Sequence, residues 1–441
     1  MATEVNSFVS REKLDILATA VADNMPYVRA SKQSYSQQDL KGKKFGAKVS
    51  EYLTDAGTVT DGIVADPDAV HERQIDAYIQ NKNSAVETTF WENFHNIGNR
   101  EKEIIKKRAE KLARYVEADV INHNVFRGMQ AVVAPKVGGV SSPSFEMLSD
   151  AATKLAELSV VGDLVDFQSP TIYGKIANSG LAKFIPDDIQ KDIYRDRYLG
   201  QYAGAACVEQ ALMPKIKLSS TADTAPTLTF TAVKDDAQNI IGYTVGALTK
   251  SSGTATLEEG AAYVVPGVYL LDESGVETNQ ELVVIVHKKI TGLVGTTVNG
   301  ETVYEKASQG KLSESLGIED LFVTEKGQSF GTPNVWVDST TFNSTKAASV
   351  TVTCSFVPGM GADKTYLVGQ VRTDDALTFD AYTYEDLPGS RRENVGNDGP
   401  VVLKAMSFGD GKNGVELTRI DVSYIATVFE PRRNVVTFTE V

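Results

Sequence analysis

The feature that most restricts this chain is an amphipathic stretch from about Arg100 to Arg127. Ile105, Ala109, Leu112, Val116 and Val120 recur at steps of three or four residues, the spacing that lines one face of an α-helix. Lys106, Lys107, Arg108, Lys111 and Arg114 are interleaved with Glu101, Glu103, Glu110 and Glu117, which reads as a solvated or subunit-facing side. At 1.5 Å per residue such a helix reaches about 40 Å. Gly128 is placed to end it. A helix of that length spans a domain and predicts a spine for something flat or extended.

What precedes the spine is thin. Ser10 is placed to cap a helix carrying Leu14, Leu17, Ala18 and Val21 on one stripe, and Pro26 stops it. A polar stretch, Ser31 to Gly46, leads to Val49–Val64, where Tyr52, Leu53, Val59, Ile63 and Val64 are broken up by Gly57 and Gly62. This predicts a loose two-stranded loop with too few apolar residues for a core of its own. After the spine, Ser142-Pro143 predicts the start of a helix carrying Met147, Leu148, Ala151, Leu155 and Leu158. Leu164, Val165 and Phe167 read as a strand, and Pro186 with Asp187 and Asp188 reads as a third helix start.

The texture changes at Met213-Pro214. From there to about Val371, Thr, Val and Gly dominate, and strand alternation is clear in Thr227–Thr231 and Ser349–Thr353. Turns recur at Ser252-Gly253, Glu259-Gly260, Asn299-Gly300 and Gly359. The expectation is an all-β insert, a barrel or sandwich, broken by a short helical island at Ser313–Leu321. Strong strands return at Leu417–Phe429 and Val435–Phe438.

Composition narrows function mainly by exclusion. The 441 residues are 42% hydrophobic and 23% charged, as in folded proteins, with a formal net charge of −14. That charge argues against a sequence-reading nucleic-acid binder, though not against a local basic patch or a container that surrounds nucleic acid. Cys207 and Cys354 give neither a disulfide framework nor a metal spacing, and are expected as buried thiols in a reducing cytoplasm. No signal peptide is visible, and the longest apolar runs, such as Leu282–Val286, are strand-sized, so no membrane association is expected. His71, His95, His123 and His287 are scattered. The glycines at 409, 411 and 414 precede strand-like residues, which predicts a hairpin tip rather than a dinucleotide loop. Adjacent acids, as at Asp187-Asp188 and Glu258-Glu259, suit caps and turns. No catalytic, cofactor or metal site is expected, and the chain is not read as an enzyme.

The order of parts resembles the coat proteins of short-tailed double-stranded-DNA bacteriophages that carry an inserted β-barrel domain. The stretches that carry the resemblance are Ala109–Glu117, Phe184–Asp188 with Tyr194-Arg195-Asp196, Met213-Pro214-Lys215 with Leu218-Ser219, Thr373–Leu377, and Arg419-Ile420 through Glu430-Pro431-Arg432. They fall in the family's order along most of the chain, while the insert departs in sequence. The resemblance implies an α+β fold of the Hong Kong 97 phage capsid type, with N-arm, extended loop, spine helix, and peripheral and axial domains. In these terms residues 1–30 are the helical arm, 31–75 the extended loop and 76–140 the spine and peripheral domain. Residues 141–221 begin the axial domain, 222–368 are the inserted all-β domain, and 369–441 return through the axial and peripheral domains.

By the same resemblance the chain is a major capsid protein, located in the virion and assembled in the host bacterial cytoplasm. Hexamers and pentamers would form an icosahedral shell on a scaffolding protein, with a portal protein. The precursor shell would expand as double-stranded DNA enters, enclosing that DNA without sequence-specific contacts. Lys41, Lys43, Lys44 and Lys48 in the thin loop are the expected intersubunit contacts, and Ile105, Leu112, Val116 and Val120 the expected packing stripe of the spine. A phage tail-tube, fibre or surface-adhesin role is the alternative; it suits the Thr- and Gly-rich segment but not the spine helix.

Overall fold

The computed structural model describes residues 24–31, 44–50, 72–78, 80–89, 100–178, 201–234, 240–252, 254–272, 277–287, 296–298, 301–303, 322–325, 335–337, 349–381, 390–394, 402–410, 415–428 and 430–441. The fold is α+β. Chain order opens with a helical turn, Pro26–Arg29, then β1 (Lys44–Ser50), β2 (Glu72–Tyr78), β3 (Gln80–Thr89) and helix α1 (Arg100–Asn124). There follow β4 (Gln130–Val133), α2 (Phe145–Glu157), β5 (Leu164–Gln168), α3 (Pro170–Asn178), β6 (Ala205–Glu209) and β7 (Lys215–Lys217). Strands then dominate: β8 (Thr227–Lys234), β9 (Ile240–Thr249), β10 (Ala262–Leu271), β11 (Glu277–Ile285), β12 (Phe322–Glu325), β13 (Val335–Val337) and β14 (Ser349–Thr353). The chain closes with β15 (Thr365–Thr373), β16 (Leu377–Ala381), β17 (Ser390–Asn394), β18 (Val402–Asp410), β19 (Val415–Val428) and β20 (Asn434–Glu440).

Two compact units result, one from residues 1–47, 74–124 and 374–429, the other from 48–73, 125–373 and 430–441. The first is a helix laid on a sheet. Its central strand, β19, is 14 residues long. It pairs with β3 on one side (Val415 with Thr89, Tyr424 with Gln80) and with β18 and then β16 on the other. The α1 helix runs 25 residues, about 37 Å, and packs on β3 and β19. The Gly409–Gly414 run sits between antiparallel strands that bring Asp410 opposite Val415, so a strand follows it.

The second unit is built on a sheet in the order β4-β20-β15-β5-β6. Met147, Leu148, Ala151 and Leu155 of α2 and Ile172, Tyr173 and Ile176 of α3 pack onto one face of it with Val132, Cys207, Val371 and Val435. The two alternating Thr/Val segments pair with each other: Thr227 lies opposite Thr353 and Thr231 opposite Ser349, with Leu228, Phe230 and Val352 turned inward. They belong to an eight-stranded sheet in the order β11-β10-β13-β12-β9-β8-β14, with the short Ser355–Phe356 strand on β10.

This excursion leaves and returns at one place. β7 pairs antiparallel with β15, Lys215 opposite Leu367 and Lys217 opposite Thr365, and the Leu218 amide donates to the Lys364 carbonyl at 2.9 Å. It is also fastened to its base. Arg432, buried in the 3-10 turn Pro431–Arg433, donates to the carbonyls of Leu271 and Asp272, each at 3.3 Å. Gly260 has φ +77°, and a Cβ there would come within 2.6 Å of the Ile216 side chain, so only glycine fits.

Three local expectations are corrected. Helix α2 starts after Ser144, not at Ser142-Pro143, because the Ser142 amide donates to the Pro135 carbonyl at 2.9 Å and closes the Lys136–Ser141 ribbon. Helix α1 ends at Asn124, whose side-chain amide donates to the Val120 carbonyl at 2.9 Å. Gly128 is not a left-handed cap; a Cβ there would lie 2.7 Å from the Asn434 carbonyl oxygen, so the glycine permits a close backbone approach. The Ser10 helix, most of the 31–75 loop, the Pro186 helix and the Ser313–Leu321 island lie outside the described residues.

Candidate functional site

Leu112, Val116 and Val120 are 2%, 0% and 1% exposed on the inner face of α1. Ile105 lies in the same helix, with its side chain outside the described residues. Glu117 is fully buried on this stripe, which corrects its reading as one of the solvated acids. Its carboxylate accepts the Tyr27 amide at 2.6 Å and the Val28 amide at 3.2 Å. These are among the first amides of the Pro26–Arg29 turn, which lack helical acceptors and whose N-cap, Met25, makes no side-chain bond. Glu117 caps that turn from 90 residues away.

Asp119, one turn-fraction further along, accepts the Tyr424 hydroxyl at 2.5 Å and the Lys82 ammonium at 3.1 Å, tying α1 to β19 and β3. Burial, and then the bond to Asp119, push the Tyr424 hydroxyl pKa well up. His123 sets its Nδ1 2.8 Å from the Asp119 carbonyl oxygen. With two acids drawn inward, the outward side of α1 differs from its linear sequence. Lys107, Arg108, Lys111 and Arg114 are all exposed there and Lys106 on the flank, against one exposed acid among the described residues, Glu103, and a half-buried Glu110. Tyr115 is 58% exposed, with the Lys111 ammonium 5.6 Å from its ring centroid. Arg114 Nε donates to the Asn24 side-chain oxygen at 3.2 Å.

Of the loop lysines, Lys41 and Lys43 lie outside the described residues. Lys44 opens β1 and Lys48 sits within it, with only the backbone described at both.

The second unit hides a polar chain under α2 and α3. Asp166 on β5 stands opposite Val371 on one side and Cys207 on the other. Gln168 Nε2 donates to Asp166 Oδ1 at 2.7 Å and to Thr437 Oγ1 at 3.0 Å. Gln168 crosses the sheet over Gly369, where a Cβ would collide with its amide oxygen at 2.1 Å. Burial pushes the Asp166 carboxyl up to about 7, against the opposing pull of the bonds to Gln168 and Cys207. Its Oδ2 has no partner among the described residues. On the other face Arg372 is fully buried, its guanidinium 5.2 Å from the Phe167 ring centroid and bonded to the Thr373 carbonyl at 3.2 Å.

No second acid or base faces Asp166 as an acid/base partner among the described residues; its polar neighbours are an amide, a hydroxyl and a thiol. Cys207 and Cys354 are both buried and in no disulfide, and burial pushes the Cys354 thiol up to about 12. Among the described residues no group of three His, Cys, Asp or Glu is placed to hold a metal ion, and no helix is long and apolar enough to cross a membrane. Glu117 was findable in the sequence, since a carboxylate on an apolar stripe needs a donor. Asp166 carried no such signal, because Leu-Val-Asp-Phe-Gln reads as an ordinary strand.

No protein-family model matches the sequence, and no curated protein matches it. The solved structures to which the chain is similar include bacteriophage capsid structures. The capsid of cyanophage P-SCSP1u aligns at 9% identity and a TM-score of 0.45, over 94% of this chain and 88% of that one. A Mycobacterium phage Che8 chain aligns at 10% identity and 0.44, over 94% and 90%. The capsid of Ralstonia phage GP4 aligns at 7% identity and 0.42, over 93% and 88%.

Proposed function

We propose that this chain is the major capsid protein of a short-tailed double-stranded-DNA bacteriophage, with the Hong Kong 97 phage capsid fold and an inserted β domain. The observation that carries the reading is the order of parts. A long spine helix on a sheet comes first, then a second sheet from which residues 218–364 depart and return through the paired strands β7 and β15. That order matches the one the sequence resemblance implies. The role is structural rather than enzymatic: copies assemble as hexamers and pentamers into an icosahedral shell around DNA, with a scaffolding protein and a portal. The segments 1–30, 31–75, 76–140, 141–221, 222–368 and 369–441 serve as arm, loop, spine region, first axial part, insert and return. The 31–75 loop reaches a neighbouring subunit through Lys41, Lys43, Lys44 and Lys48, with the apolar stripe from Ile105 to Val120 holding the spine.

Negative-stain microscopy of the protein co-expressed with its scaffold tests this. Closed shells are the expected result; rods, or dispersed subunits alone, would overturn it. The Lys43→Glu/Lys44→Glu variant should lower shell yield, most at low salt, because like charges would then meet across the contact. The subunit's melting temperature should hardly move, since exposed charges contribute little to folding.

A further inference from the structure

We infer that the outward face of α1 is a phosphate-contacting stripe for duplex DNA, read without regard to sequence. The inference rests on the coat-protein reading for the identity of its polyanion. The chain carries a net charge of −14, yet four cations, Lys107, Arg108, Lys111 and Arg114, are exposed on the side of α1 turned away from its packed stripe, with Lys106 exposed on the flank. Folding creates this concentration, because Glu117 and Asp119 are turned inward to the Tyr27 and Val28 amides and to Tyr424 and Lys82. Among the described residues, Lys106, Lys107 and Arg108 have no carboxylate at ion-pair distance. Among the described residues Glu103 is the exposed acid left on the stripe, with Glu110 half-buried beside it.

The chemistry favours a nucleic-acid backbone over an acidic protein surface. Protein interfaces centre on a desolvated apolar patch and are depleted in lysine. Here Lys107, Lys111 and the flanking Lys106 are lysines, and Tyr115 is the one exposed large apolar side chain on the described part of α1. Contact with phosphates needs no apolar centre; it is driven by release of counterions. From Lys106 to Arg114 the helix rises about 12 Å, a length over which duplex DNA carries about seven phosphate charges. The face therefore meets a continuous line of charge rather than a single anion.

The test measures binding of the full chain to a short mixed-sequence duplex by fluorescence anisotropy over a range of salt. If the four outward cations engage, log K should fall with log salt at a slope of about −3.6, a loss of about 150-fold between ~50 and ~200 mM salt. Lys106→Gln/Lys107→Gln/Lys111→Gln should flatten that loss to about tenfold. A control that neutralises three exposed lysines elsewhere, Lys175→Gln/Lys215→Gln/Lys217→Gln, should keep the wild-type slope. Absence of wild-type binding, or equal flattening in the control, overturns the inference. So does a stripe variant that keeps its DNA affinity but loses self-association, which would assign the stripe to an acidic surface of a second copy. Shell formation is imaged in parallel: shells without stripe-dependent DNA binding sink this inference alone, while stripe-dependent binding without shells sinks the coat reading alone.

Discussion

In the first unit, Glu117 and Asp119 enter a helix-on-sheet interior and find donors there: two amides of a distant turn, a tyrosine hydroxyl and a lysine. In the second, Asp166 enters an interior of the same kind, and its bonds leave Oδ2 without a partner among the described residues. A buried polar group with donors adds about 1 kcal/mol net, whereas one left without them costs more than that. The first unit turns its acids into latches that hold remote segments. In the second, burial pushes the acid up to about 7, so that it holds its proton below neutral pH. A buried carboxyl group thus fixes chain connectivity in one place and registers pH in the other.

The contrast can be broken most sharply on the spine itself. Val116→Asp places a carboxylate on the packed stripe without the donors that Glu117 has, at a cost of about 5 kcal/mol. We expect insoluble or unassembled protein, and a normal melting curve with normal shell yield would refute the packing of α1. Next in size is Asp166. Its folded pKa is raised from 3.8 to about 7, so the folded state holds a proton that the unfolded state has released. Stability should therefore fall as pH rises through this window, by about 1.4 kcal/mol per unit, and level off above about pH 7. Asp166→Asn should remove this slope, about 2.3 kcal/mol between about pH 5 and about pH 7; denaturant melts of both proteins across that range decide it, and an unchanged slope means that the carboxyl is ionised in the fold. The smallest effect is expected from Glu117→Ala, which orphans the Tyr27 and Val28 amides at a cost of about 2 kcal/mol. Hydrogen exchange should then speed up at residues 26–29 while β19 stays protected.

The sequence made the strongly periodic elements readable. The stripe through Leu112, Val116 and Val120 and the alternation at Thr227–Thr231 and Ser349–Thr353 each reflect a single geometric period, and one period is enough to place a buried face. The partnership between those two strands was not readable, since pairing across more than a hundred residues depends on the closing of the whole excursion. Ser142 looked like a better helix cap than Ser144 because nothing local shows that its amide is committed to Pro135. Gly128 looked like a helix stop because its requirement comes from the Asn434 carbonyl, at the far end of the chain. For the candidate stripe, the five cations were visible from the start. Their isolation from acids was not, because it depends on where Glu117 and Asp119 turn.

The pairing of β7 with β15 has a topological meaning. To the sheet on which it stands, everything from residue 218 to 364 is a single loop whose two ends are already neighbours. Closing such a loop costs only about 3 kcal/mol more than closing a four-residue turn, because the entropy of closure grows with the logarithm of length. The sheet is thus nearly indifferent to how much chain hangs from this point. Sequence within the loop is free to drift, lengthen or be exchanged for another module, provided that the two strands at its root still meet and the surface beneath it, with Arg432 and Gly260, still finds its fit.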